Sequence, residues 1–232
     1  MHQDLIQEAA VDQFTPLLSP VDAMHLKNTH QLSIEGNNAK ISSPPQGLTL
    51  ELLHEIEWKR FEELCAAYFS SAGFDSQTQS HGADGGIDIR LYLKGKPEQV
   101  MNVVQCKAWA KPVGIKPMRE LLGVIVASKA PRGTFVSLSG FHPDAETFAR
   151  TNRIFPMDGN ALLEGMLKRP LQEQLHLLSV ATAGEYMTPT CASCGIKMVQ
   201  RKRKADQSEF WGCVNYPQCK TVLRPKSVLM AA

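Results

Sequence analysis

Asp88 follows a Gly85–Gly86 pair in the stretch GADGGIDIR at 82–90, and Gln105 and Lys107 close the apolar run VVQCK at 103–107. An acid, an amide oxygen and an ammonium around one small pocket suit phosphodiester hydrolysis with a divalent cation. Oxygen ligands hold a hard ion such as Mg2+. The ion polarises the phosphate and acidifies an attacking water, and a lysine offsets the charge that grows during attack. Strand alternation sends Gln105 and Lys107 to the same face. If the strands around Asp88 and Gln105 pair as a hairpin, the acid lies beside the amide. Glu62, next to Phe61 on an upstream amphipathic segment, flanks that segment's apolar stripe and could reach over the sheet as a second carboxylate ligand.

A second group of residues sits near the C-terminus. Cys191-x2-Cys194 and Cys213-x5-Cys219 are separated by 18 residues. Two such pairs close a tetrahedral Zn2+ site with no position left for water, which makes the metal structural rather than catalytic. Such a site folds a segment too small for its own core. The intervening Arg201, Lys202, Arg203 and Lys204 could neutralise DNA phosphates. Phe210, Trp211 and Tyr216 could stack on bases of single-stranded or distorted DNA, or in part pack on the zinc site. The remaining cysteines, Cys65 and Cys106, read as small buried hydrophobes, with Cys106 pointing away from Gln105 and Lys107.

These residues need elements to position them. Residues 50–72 carry apolar side chains at helical spacing and end at Gly73, which reads as one amphipathic helix. Short β-type runs follow at FDSQTQ, at 87–93 and at 99–109, with a Gly- and Pro-containing hairpin turn between the last two. Then come a helix at 115–129, a strand at 134–139, a helix at 141–153, the run IFPMDG, and a final helix at 160–178. The order α-β-β-β-α-β-α-β-α predicts an α/β fold: a mixed central sheet flanked by helices, plus a small zinc ribbon. The expected division is an N-terminal extension at 1–46, largely flexible, with a short helix near 4–18. A catalytic domain at 47–178, a linker at 179–190 and the four-cysteine module at 191–226 follow. Asp84 reads as a turn former before Gly-Gly, and His81 as a loop residue or phosphate contact.

The whole-chain charge of +2 hides an asymmetry. Residues 191–226 hold eight Lys/Arg and two Asp/Glu, a net of +6, which leaves the rest of the chain at −4. The basic character that would attract a nucleic acid is therefore concentrated in the cysteine module. The start MHQDLIQEAAVDQF lacks a basic segment followed by an apolar one, so no secretory signal is expected and the cytoplasm is the default location. No apolar run approaches the roughly 20 residues that a membrane helix needs. Paired cysteines in that setting read as metal ligands rather than disulfides.

The stretches WKRFEELCAAYFSSAGF (58–74), GADGGIDI (82–89), VVQCKAW (103–109), VGIKPMRELLGVI (113–125), TFVSLSGFHPDAETFA (134–149) and IFPMDGNALL (154–163) together resemble the Mrr-like restriction endonucleases of the PD-(D/E)xK nuclease superfamily. The resemblance covers about 58–165. It implies cleavage of DNA backbones with Mg2+ at Asp88, Gln105 and Lys107, with Glu62 carried over from the family's helical Phe-Glu position. One departure from the superfamily pattern is Gln105, where the middle position is usually Glu or Asp. A neutral amide oxygen is a weaker Mg2+ ligand, which raises the importance of Glu62. Gln at this position is usual in the Mrr branch. CASCGIKMVQRK followed by FWGCVNYPQCK resembles the four-cysteine zinc finger at the C-terminus of type IA topoisomerases, with Ala192 where that family usually has Pro. This resemblance implies DNA binding.

The leading expectation is a Mg-dependent DNA endonuclease, restriction-type or repair-type, held on double-stranded DNA by a zinc ribbon. Two-strand cleavage would call for two active sites and so for a homodimer. The competing expectation is a non-catalytic DNA-binding protein that keeps the nuclease fold, and Gln105 is the feature that keeps it open.

Overall fold

The computed structural model describes residues 45–78 and 86–225. Most of the N-terminal extension, with the helix expected near 4–18, lies outside the described residues, as do His81 and Asp84. The first elements are α1 (Leu50–Glu55) and α2 (Trp58–Ser71), followed by β1 (Phe74–Thr78), β2 (Ile89–Leu93) and β3 (Lys96–Lys107). Next come α3 (Ile115–Ala127), β4 (Gly133–Ser137), α4 (Pro143–Thr151), β5 (Ile154–Asp158), α5 (Gly159–Leu167) and α6 (Leu171–Ala181). The cysteine module adds β6 (Val199–Lys202), β7 (Glu209–Gly212) and β8 (Val222–Leu223).

Strands β1 to β5 form one sheet in sequential order. β1, β2 and β3 pair antiparallel, while β4 and β5 continue parallel to β3, so the sheet is mixed as the element order predicts. The antiparallel pairs need only short turns, and β2 passes into β3 through Lys94–Gly95 with Gly95 at φ +75°. Each parallel step needs a helical crossover, which α3 and α4 supply. One face of the sheet is covered by α3 and α4. There Val103, Phe135 and Ile154 from three strands pack with Met118, Leu121, Ile125, Ala145 and Ala149. α2 lies against β1, β2 and β3, and α6 lies along α2. Phe61, Leu64, Cys65, Tyr68 and Phe69 are all buried, which gives α2 a continuous apolar stripe and a fixed seat.

Two of the expected helices are each two helices. The pattern at 50–72 breaks at Ile56, whose ψ of 144° is extended, and Glu57 then caps α2 through its own carboxylate. Apolar periodicity carried through this break because Ile56 is fully buried between the two segments. The final helix breaks at Pro170, which cannot continue α5 and instead precedes α6. Among the described residues, no helix is long and apolar enough to cross a membrane.

Candidate active site and metal centre

Asp88 sits just before β2, and its backbone N–H donates to the Val104 carbonyl at 3.0 Å. That bond ties it to the neighbouring strand β3. The Asp88 carboxylate accepts the Cys106 backbone N–H at 2.6 Å and lies 3.7 Å from Lys107 Nζ. The expected meeting of Asp88 and Lys107 therefore occurs at the end of the β2–β3 pair. The Cys106 thiol is turned to Cys65 on α2, and burial raises it well above the usual thiol range.

Gln105 is buried, and its Oε1 has no hydrogen-bond partner. Its amide nitrogen packs against Gly86, where a Cβ would come within 2.8 Å of Nε2. Gly86 has φ +85°, a conformation suited to glycine, and its backbone lies directly against the Gln105 side chain.

Glu62 lies on α2 and is buried at 8% exposure. Lys59, one helical turn earlier, donates to Glu62 Oε2 at 3.2 Å. Burial, and then the charge of Asp88, push the Glu62 carboxyl up to about 7, against the pull of Lys59 and Lys107. Asp88 is also raised, chiefly by burial, while Lys107, the Cys106 amide and a hydrogen bond with Glu62 pull it back. Two acids from different elements thus lie near each other in a largely buried site, and each is raised first by burial. Helix α2 and the β2–β3 pair bring together Asp88, Glu62 and Lys107, and Gln105 adjoins Lys107 along β3.

Chemically, this arrangement fits a divalent cation. A cation would offset the charge that Asp88 and Glu62 place near each other, and the Gln105 amide oxygen, two residues from Lys107 on β3, is buried without a partner. Lys59 was not singled out by the sequence pattern, although the Lys59–Glu62 spacing of three on a helix is a legible signal of pairing.

In the cysteine module, Cys191, Cys194, Cys213 and Cys219 converge, with their sulfur atoms within 4.8 Å of one another. Cys191 and Cys219 Sγ lie 3.7 Å apart, and Cys194 and Cys213 Sγ 3.8 Å apart. A tetrahedron with Zn–S of about 2.3 Å has S···S edges of about 3.8 Å, so the four thiols fit Zn2+. The Thr221 hydroxyl and backbone amide lower Cys219 to about 6, which favours the thiolate form that a metal requires. Met198, Trp211 and Leu223 pack against this cluster.

Trp211 is therefore largely a support for the metal centre, whereas Tyr216 is exposed at 64%. Arg201 and Lys202 lie on β6, and Arg203 and Lys204 follow it; all four are exposed. Lys202 faces Glu209 at 3.7 Å. The Arg203 guanidinium lies 6.0 Å over the Phe210 ring, and Arg201 pairs with Phe210 across the β6–β7 ladder. The exposed side of the ribbon sheet is thus basic and aromatic at once.

A mixed α/β domain with paired acids at a strand end, joined to a four-cysteine metal ribbon, is the class that the fold and these clusters define. Comparison with known families assigns both parts. Residues 53–166 match the restriction endonuclease family, and residues 188–228 match the topoisomerase DNA binding C4 zinc finger. Residues 53–166 are thus similar to the restriction-endonuclease domain of the Mrr type, and residues 188–228 to a topoisomerase-type zinc ribbon. The type IV methyl-directed restriction enzyme EcoKMrr of Escherichia coli (strain K12) is 31% identical over 138 residues, covering 56% of this chain and 45% of that protein. The uncharacterized protein y4cE of Sinorhizobium fredii is 30% identical over 97 residues, covering 41% of this chain and 25% of that protein. The chain spans less than half the length of the curated relatives it matches. Among solved structures, the MspJI restriction endonuclease in complex with a 27-mer oligonucleotide is similar at a TM-score of 0.42 and 17% identity, over 69% of this chain and 41% of that one. The DNA modification-dependent restriction endonuclease AspBHI is similar at a TM-score of 0.40 and 16% identity, over 65% and 45% respectively.

Proposed function

We propose that this protein is a Mg-dependent DNA endonuclease acting in the cytoplasm, with catalytic machinery in residues 47–178 and a DNA-holding ribbon at 191–226. The observation that carries the reading is the Asp88–Glu62 pair with Lys107 at the same strand end, together with a Gln105 oxygen on β3 that is buried without a partner. A restriction-type role on foreign or modified DNA is supported by the relative that is a methyl-directed restriction enzyme. A repair-type nuclease would use the same residues.

Asp88, Glu62 and Gln105 would hold Mg2+, which when bound supplies positive charge to the scissile phosphate and acidifies the attacking water. Glu62, raised to about 7, would have to be ionised to serve as a ligand. The Cys106 amide keeps the Asp88 carboxylate aimed at the site through its 2.6 Å hydrogen bond. Lys107 Nζ, fixed by its position on β3, places an ammonium where negative charge builds on the phosphate. In the ribbon, Arg201, Lys202, Arg203 and Lys204 neutralise phosphates and Tyr216 offers an exposed ring for stacking, while Trp211 contributes mainly by holding the metal centre. Cutting both strands would use a homodimer.

Methylated and unmethylated plasmids incubated with purified protein and Mg2+ test this directly. Asp88→Asn should abolish detectable nicking, and Lys107→Ala should slow it by about 10²–10³-fold, both with DNA binding retained. Cleavage that persists in both variants overturns the assigned site. Failure of the unaltered protein to cut any substrate, with binding intact, leaves the non-catalytic DNA-binding reading that Gln105 had kept open.

A further inference from the structure

Glu57 is 3% exposed, and its carboxylate is engaged on two sides. Toward its own helix it caps α2, accepting the Lys59 and Arg60 backbone amides at 2.9 and 3.2 Å. Toward the distant ribbon it accepts Thr190 N at 3.2 Å, Thr190 Oγ1 at 3.0 Å and Lys197 Nζ at 3.2 Å. The adjacent Trp58 donates its ring N–H to the Thr190 carbonyl at 2.8 Å. The backbone amide, hydroxyl and carbonyl of Thr190 are thus all held from the start of α2. Thr190 pairs with Lys197 in a β-bridge at the base of the ribbon and immediately precedes the metal ligand Cys191. The segment leading there is tied down as well. Glu57 N–H donates to the Tyr186 carbonyl at 2.8 Å, and Arg60 donates to the Ala183 carbonyl at 3.0 Å.

A carboxylate this deeply buried cannot lose its partners without a large desolvation cost. Swinging the ribbon away would strip three charge-assisted hydrogen bonds from Glu57 at once. The ribbon base is therefore a fixed extension of α2, the helix that also carries Glu62. Five residues along one helix separate Glu57 from Glu62, about 7.5 Å of axial rise. A flexible tether would only raise local DNA concentration; a docked arm also fixes where held DNA meets the pocket.

We propose that Glu57 is a positioning residue: a buried latch that fixes the zinc ribbon to α2 and sets the distance between ribbon-held DNA and the point of cleavage. The second half rests on the nuclease reading above; the latch itself does not. The test uses full-length, zinc-loaded protein and the double variant Thr190→Val/Lys197→Met, which removes ribbon-side donors and leaves the α2 cap intact. Glu57→Ala serves as a second variant. Zinc content should stay as in the unaltered protein, and both variants should remain folded with a lowered melting temperature, because one leaves a buried carboxylate short of donors and the other removes the α2 cap. Chymotryptic nicking at Tyr186 and Met187 should accelerate by at least about tenfold as the segment is released. On end-labelled duplex, the same variants should bind DNA within about twofold of the unaltered protein yet cut over a wider spread of positions. Unchanged nicking with zinc retained overturns the latch. Released ribbon with an unchanged product ladder overturns the positioning role. If the unaltered protein does not cut at all, the nuclease reading fails while the proteolysis still decides the latch.

Discussion

Gln105 Oε1 and the Glu62 carboxyl define the chemistry at the scale of single residues. An amide oxygen buried without a partner costs stability unless something polar meets it. Glu62, on α2, is raised to about 7 from an ordinary 4.5, first by burial and then by Asp88. The sign of the consequence follows from the shift. The folded protein holds this proton more tightly than the unfolded chain, so the group favours folding below about pH 4.5, and that contribution is lost as pH rises to about 7. In Mg-free buffer, with the structural zinc retained, the melting temperature should fall across this window. Glu62→Gln should flatten the fall and leave the variant more stable than the unaltered protein at pH 8. Thermal melts between pH 5 and 8 check this; identical slopes in the two proteins would show that Glu62 carries no raised pKa.

At the scale of elements, the site depends on how closely the backbone at Gly86, just before β2, approaches β3. Gly86, at φ +85°, lets the chain close over Gln105 with no side chain between them. Gly86→Ala would force a left-handed conformation on alanine, at about 1–2 kcal/mol, and would place a methyl 2.8 Å from Gln105 Nε2. The sheet should remain, because the cores under α2 and α3 are built elsewhere. Circular dichroism should show a folded protein with a lowered melting temperature, while cleavage falls on the order of 10²-fold as Gln105 is displaced. Cleavage at the unaltered rate would mean that Gln105 is not used as a ligand.

At the scale of the whole molecule, a four-cysteine metal centre shares one chain with the acidic site proposed to take Mg2+. The proposed site offers oxygen atoms and the ribbon offers sulfur, so on that reading Mg2+ and Zn2+ would not compete for the same ligands. Removing the structural metal should disorder only the ribbon. Cys213→Ser, remote in sequence from Thr190, should lose zinc by elemental analysis and leave the main unfolding transition of the nuclease domain near its original temperature. DNA affinity should weaken, and its logarithmic salt dependence should flatten by about one unit for each phosphate that Arg201, Lys202, Arg203 or Lys204 no longer neutralises. Unchanged affinity and slope would relieve the ribbon of any part in holding DNA.

Much of this protein is determined locally and was therefore legible in the sequence. Cys191, Cys194, Cys213 and Cys219 announce their cluster because metal ligands must be spaced for tight turns. Alternation along β3 put Gln105 and Lys107 on one side, and the Gly- and Pro-containing stretch between 93 and 99 made the hairpin with β2 readable, although the turn is only Lys94–Gly95 and Pro97 lies within β3. Helical breaks at Ile56 and Pro170 were hidden because apolar spacing continues across them. Tertiary structure alone decided how far the acids are dried and paired, because Glu62 and Asp88 come from different elements and shift each other only through space. It also decided the role of Trp211, whose ring packs on the cysteines. Above all it decided Glu57, a residue that in sequence reads as an ordinary charge on a helix. Its partners lie 133 and 140 positions away, and only the folded chain, by burying the carboxylate among them, turns that charge into a joint between the ribbon and the nuclease domain.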